Sequence, residues 1–123
     1  MKQYIVDVFT EKIFSGNPAA VCVLDNFPSD DIMQNIAAEN NLSETAFVVK
    51  ENDCYHIRWF TPKSEIDFCG HATLAAAYIL FNYSAQEDDT LNLYGQIGEF
   101  TVRRYGELVR MEFPAYKLKH IEI

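Results

Sequence analysis

Alternation of apolar and polar positions runs through most of this chain. At 55–60, Tyr55, Ile57 and Trp59 interleave with His56 and Arg58, the period of a strand with one buried face. Runs rich in Val, Ile and aromatics at 4–9, 20–24, 45–49, 91–94, 100–104 and 108–113 predict further strands. In the last of these, Val109, Met111 and Phe113 face in while Arg110 and Glu112 face out. Turn chemistry separates the runs: Gly16-Asn17-Pro18, Glu51-Asn52-Asp53, Thr61-Pro62, Gly95, Gly98 and Tyr105-Gly106. Two segments keep a helical period instead. Ser29 reads as an N-cap, with Asp30 and Asp31 in the first turn and an apolar stripe of Ile32, Met33, Ile36 and Ala37 that fades by Asn40. The segment 71–81 is apolar on every side, which predicts a buried helix, and its alanines let strands approach closely. The expected architecture is an α+β domain: a curved, largely antiparallel sheet wrapped around one buried helix, with the Ser29 helix outside.

Composition narrows the partners. A chain of 123 residues, 49% of them hydrophobic, is one domain with a real core. Ten Lys and Arg against 18 Asp and Glu give a formal charge of −8, which argues against nucleic acid and against an anionic membrane surface. A bound anion must therefore be held by local features. No apolar run approaches bilayer-spanning length, and Met1-Lys2-Gln3 passes straight into a strand-like run without a signal-peptide core. Three scattered cysteines, Cys22, Cys54 and Cys69, predict no disulfide scaffold and a reducing, cytoplasmic setting.

Three residue groups are candidates for chemistry. Glu44 sits in a polar turn beside Ser43 and leads into an apolar strand, where partial desolvation favours a carboxyl able to donate and accept a proton. The plain alternative is a solvated turn glutamate. Gly70 and His71 open the apolar helix, whose first N–H groups and dipole suit a carboxylate; the alternative is a helix that simply begins at a glycine with a capping histidine. Cys69 at that helix start reads either as a thiol of lowered pKa, as in an acid–base pair, or as a packed structural cysteine. The pairs Cys54/His56 and Cys69/His71 do not have a recognised zinc-finger spacing, so no metal is expected.

Several motifs in order carry a resemblance: Val6-Asp-Val-Phe-Thr to Phe14, Gly16-Asn-Pro-Ala-Ala-Val-Cys22, Asn41-Leu-Ser-Glu-Thr-Ala-Phe47, Arg58-Trp-Phe-Thr-Pro62, and Asp67 through Thr73. Together they resemble the PhzF-like isomerase family, named for phenazine biosynthesis, within the diaminopimelate-epimerase-like fold. That family's fold is two similar halves, each a sheet around a central helix, with the active site between them. The resemblance implies that residues 1–123 correspond to the N-terminal half. It further implies cofactor-independent proton shuttling on a small carboxylate-bearing substrate. Glu44 is then the general acid–base residue and His71 a second catalytic group, with Gly70, Ala72, Asn17, Ser43 and Cys69 contacting substrate. The family's second half supplies an aspartate and a serine- and glycine-rich loop, so a homodimer is one expected way to complete the cleft. Two other readings stand beside this one. The first is a non-catalytic small-acid binding module or truncated remnant. The second is a cysteine-based racemase, which the Cys69-Gly70-His71 element resembles.

Overall fold

Residues 2–8, 17–83, 89–106 and 108–112 are described by a computed structural model. Strand β1 (Lys2–Val8) runs antiparallel to β2 (Asn17–Leu24), from Lys2 opposite Val23 to Val8 opposite Asn17. Helix α1 (Asp30–Asn40) follows, and the Ser29 side chain accepts the Ile32 N–H at 3.3 Å, as its capping chemistry predicts. Asn41 closes the helix in the left-handed region (φ 51°), its N–H donating to the Ala37 carbonyl. Asparagine tolerates that conformation, and the sharp exit delivers the chain directly into β3 (Glu44–Glu51). Strand β4 (Cys54–Phe60) returns antiparallel, and the short β5 (Glu65–Ile66) pairs with it. Helix α2 (Gly70–Tyr83) then leads to β6 (Thr90–Gly95), β7 (Gly98–Tyr105) and β8 (Leu108–Glu112).

The strands form one sheet in the order β1-β2-β3-β4-β6-β7-β8, with β5 attached to β4. Two neighbouring pairs are parallel, β2 with β3 and β4 with β6, and each is joined through a helix. The remaining pairs are antiparallel. Strand β4 runs opposite to β2, so right-handed crossovers set α1 and α2 on opposite faces of the sheet. Packing matches: Val21, Val48, Ile57, Trp59, Leu93 and Val102 close on α2, whereas Cys22, Phe47 and Phe60 close on Met33 and Ala37 of α1. The α+β architecture expected from the pattern is the one observed.

Three local expectations differ. The apolar 71–81 segment is not enclosed on all sides: Tyr78 is 50% exposed, because the sheet curls over only part of the helix. In α1, Ile32 is 51% exposed, and Met33 and Ala37 carry the contact with the sheet. The two-residue strand β5 has no apolar period and was not foreseen; Arg58, bidentate on Glu65, pins it to β4. Gly16, Phe9 and Phe113, which the sequence assigns to a turn and two strands, lie outside the described residues. No helix among the described residues is long and apolar enough to cross a membrane.

Candidate functional site

Strand alternation decides where the acidic candidate goes. In β3 the residues Ala46 and Val48 are buried against α2, and Glu44 shares their parity. It therefore stands at the first position of the strand on the α2 face, opposite Ala19 of β2, itself fully buried. The carboxylate is half-buried there. Its neighbour is Cys69, directly before α2, whose thiol feels the Glu44 carboxylate through its charge and hydrogen-bonding reach.

Cys69 also organises the start of the helix. The Ala72 N–H donates to Cys69 Sγ at 3.5 Å, and the His71 N–H is bonded to it as well. The helix-start N–H groups that suit a carboxylate are thus partly taken by sulfur. Sulfur is a weak acceptor at a long distance, and a carboxylate oxygen is a stronger partner for the same donors. Helix-dipole reasoning predicts a lowered thiol pKa here, but the balance runs the other way. Burial, seconded by the Glu44 charge and its hydrogen bond, outweighs the two N–H contacts and pushes the Cys69 thiol up to about 11. Near neutrality Cys69 is a thiol, suited to donate to Glu44 and ill-suited to act as a base.

The other predicted residues fall around this centre. His71 is half-buried in the first turn of α2. Ser43 directly precedes β3 and is exposed. Ala72 is fully buried, so its contribution is its backbone. Gly70 opens α2, and a Cβ there would lie 3.3 Å from Met111 Cε and 3.6 Å from Phe68 Cε2. Its lack of a side chain thus serves close packing of β8 and the 68–69 turn on the helix start. Asn17 opens β2 opposite Val8, but its side chain lies outside the described residues.

Two residues at this site were not singled out by the sequence reading. Trp59 Nε1–H donates to Thr73 Oγ1 at 2.9 Å, and the Thr73 hydroxyl donates to the Cys69 carbonyl at 2.7 Å. Both side chains are fully buried. A threonine one turn into an otherwise apolar helix was the available signal.

Cys54 and His56 lie far from this arrangement. They share the parity of Arg58 in β4, on the face away from α2, whereas Cys69 and His71 lie at the start of α2. Among the described residues no group of three or more His, Cys, Asp or Glu could hold a metal ion.

Comparison with known proteins agrees with the fold. The family model described as phenazine biosynthesis-like protein matches residues 6–123. An uncharacterized isomerase of Pseudomonas aeruginosa is 51% identical over 110 residues, covering 89% of this chain and 42% of that protein. The human phenazine biosynthesis-like domain-containing protein is 44% identical over 121 residues, covering 92% of this chain and 42% of its own length. The crystal structure of a PhzF-family phenazine biosynthesis protein of Enterococcus faecalis superposes with a TM-score of 0.81 at 55% identity, over 87% of this chain and 41% of that one. The chain therefore spans about two fifths of the length of the relatives it matches. With fold, motif order and family match in agreement, this chain belongs to the phenazine biosynthesis-like, or PhzF, family.

Proposed function

We propose that this chain forms the proton-transfer lobe of a cofactor-independent isomerase acting on a small carboxylate-bearing substrate. The single observation that carries this reading is the meeting of Glu44 with the start of α2 across two different elements. In the proposed reaction the substrate's acid group displaces Cys69 Sγ from the His71 and Ala72 N–H groups, where the helix dipole favours the negative charge. The reacting carbons then lie near Glu44. Its carboxylate takes a proton from one carbon, and the resulting carboxyl returns it to another, so the substrate is rearranged without net gain or loss. His71 supports the acid group or a substrate oxygen from the first turn, and Ser43 and Asn17 border the same cleft.

The raised Cys69 thiol favours this assignment over a cysteine-based racemase, because a base must be deprotonated to start the reaction. The test is deuterium wash-in from heavy water to a dihydro-hydroxyanthranilate-like substrate, comparing the wild type with Glu44→Gln. The expected result is a loss of exchange of about 10²- to 10⁴-fold in the variant. Equal exchange in both would remove Glu44 from the role.

The site faces outward from this lobe, and a second lobe is needed to exclude water. A second copy of the chain, apposed at the α2 start, is the proposed cover. Light scattering combined with cross-linking tests it: a monomer, or a dimer whose interface lies far from Glu44 and His71, contradicts it. A second reading keeps the helix-start N–H groups and omits the proton transfer: a small-acid binding module. Tight carboxylate binding with no proton exchange in the wild type favours that reading.

A further inference from the structure

The buried hydrogen bonds behind the cleft have more to do than hold the core together. Trp59 lies opposite Ala46 in the β3–β4 register, two positions along β3 from Glu44 and on the same face. Its indole N–H donates to Thr73 in α2, and Thr73 passes the connection to the Cys69 carbonyl. That carbonyl also accepts the Thr73 backbone N–H at 3.0 Å, so two donors from one residue pin the peptide that follows Cys69. The indole itself is seated by the absence of a side chain at Gly95. A Cβ there would come within 2.7 Å of Trp59 Cη2 and Cζ3. An apolar pair of similar shape would fill this space without desolvating a donor and an acceptor, so packing alone does not account for the arrangement.

We propose that Trp59 and Thr73 are positioning residues: their relay ties the strand frame that carries Glu44 to the residue that starts α2, and so sets the Cys69 side chain against the Glu44 carboxylate. This rests on the α2 start being the proton-transfer site. The physical need is one of tolerance. Reacting groups must be held to within about 0.5 Å, and a displacement of about 1 Å costs about 100-fold in rate. Glu44 and Cys69 come from separate elements, and the apolar contacts between them are not directional. A directional bond between the two elements fixes their relative position.

The test reads the Cys69 thiol directly, through its S–H Raman band, isolated as the difference between the wild type and Cys69→Ala. In the wild type the band is expected at the low wavenumber of a hydrogen-bonded thiol. Thr73→Ser keeps the relay's hydroxyl and is expected to keep the band in place. Thr73→Val removes the hydroxyl and is expected to move the band to the position of an unbonded thiol. Trp59→Phe removes only the indole donor and gives a second reading in the same direction should Thr73→Val fail to fold. A band unmoved in the folded variants, whatever their loss of stability, overturns the proposal and leaves the relay structural. The band is read without substrate, so failure of the Glu44 exchange assay and failure of this test are separate results.

Discussion

Glu44 and Glu51 begin and end the same strand, and strand alternation sends them to opposite faces of the sheet. On the face away from α2, Glu51 accepts the Tyr94 hydroxyl and lies 3.6 Å from His56 Nδ1. His56 in turn stacks on Tyr94 with ring centroids 4.3 Å apart. This cluster sits over the β4–β6 seam, which has two register pairs, Tyr55 with Leu93 and His56 with Tyr94. Next to it Arg58 binds Glu65 through two nitrogens and reaches Asp30 at the start of α1. These charges are committed to holding strands and a helix together. Glu44 instead meets a thiol at a helix start, a partner that a substrate can exchange. The same residue type serves structure at one end of β3 and suits chemistry at the other, and the partners make the difference.

The sharpest way to break this comparison is to neutralise each glutamate in turn. Glu44→Gln is expected to lower deuterium exchange about 10²- to 10⁴-fold with little change in the denaturant midpoint. Glu51→Gln is expected to leave exchange unchanged and to lower the midpoint, since it weakens the Tyr94 and His56 contacts across the seam. The opposite pattern would reverse the assignment of the two faces. Phe47→Ala, which empties the core between the sheet and α1, is expected to cost about 3–5 kcal/mol in chemical denaturation. Its carboxylate binding at the α2 start should survive in the folded fraction.

Alkaline pH acts on both faces by a smaller effect, with Cys22 and Tyr94 on the α1 face and Cys69 at the α2 start. Burial raises Cys22 from 9.0 to about 11, burial with Glu44 raises Cys69 from 9.0 to about 11, and the Glu51 hydrogen bond raises Tyr94 from 10.0 to about 12. In each case the fold favours the protonated form. The stability this contributes is whole below pH 9 and is lost as pH rises through about 11 for the thiols and about 12 for the phenol. Denaturation midpoints measured across this window should fall in the wild type and fall less in the Cys22→Ala, Cys69→Ala double variant. A parallel fall in both would show that the thiols do not set the alkaline limit. Ser29→Ala, next to Asp30 and away from Glu44, should cost about 1 kcal/mol through the lost cap of α1.

Strands with one face against α2 were legible in the sequence because burial writes a period of two. Residues 55–60 are the clearest case. The Ser29 cap was legible because its chemistry is local. The sheet order was less so: neither the parallel β4–β6 seam nor β5 leaves a periodic mark, since each rests on two residue pairs. The candidate residues Glu44, Cys69 and His71 could be named one by one, but their meeting depends on β3 lying beside β2 and on α2 crossing that face. The thiol shows the limit of local reasoning. A helix start argues for a lowered pKa, and only the surrounding burial and Glu44 reveal why it rises. Trp59 and Thr73 were visible as core residues, while their hydrogen bond is a product of register.

The central claim, that the ligand-exchanging site lies at the start of α2, is open to direct measurement. Amide chemical shifts of the ¹⁵N-labelled chain, titrated with a small cyclic carboxylate such as benzoate, report where the acid group binds. The account predicts saturable shifts at Ser43, Glu44, Cys69, Gly70, His71 and Ala72. Shifts confined to the opposite face, around Asn92, Tyr94, Glu99 and Thr101 in the cleft of about 550 Å³ there, would contradict it.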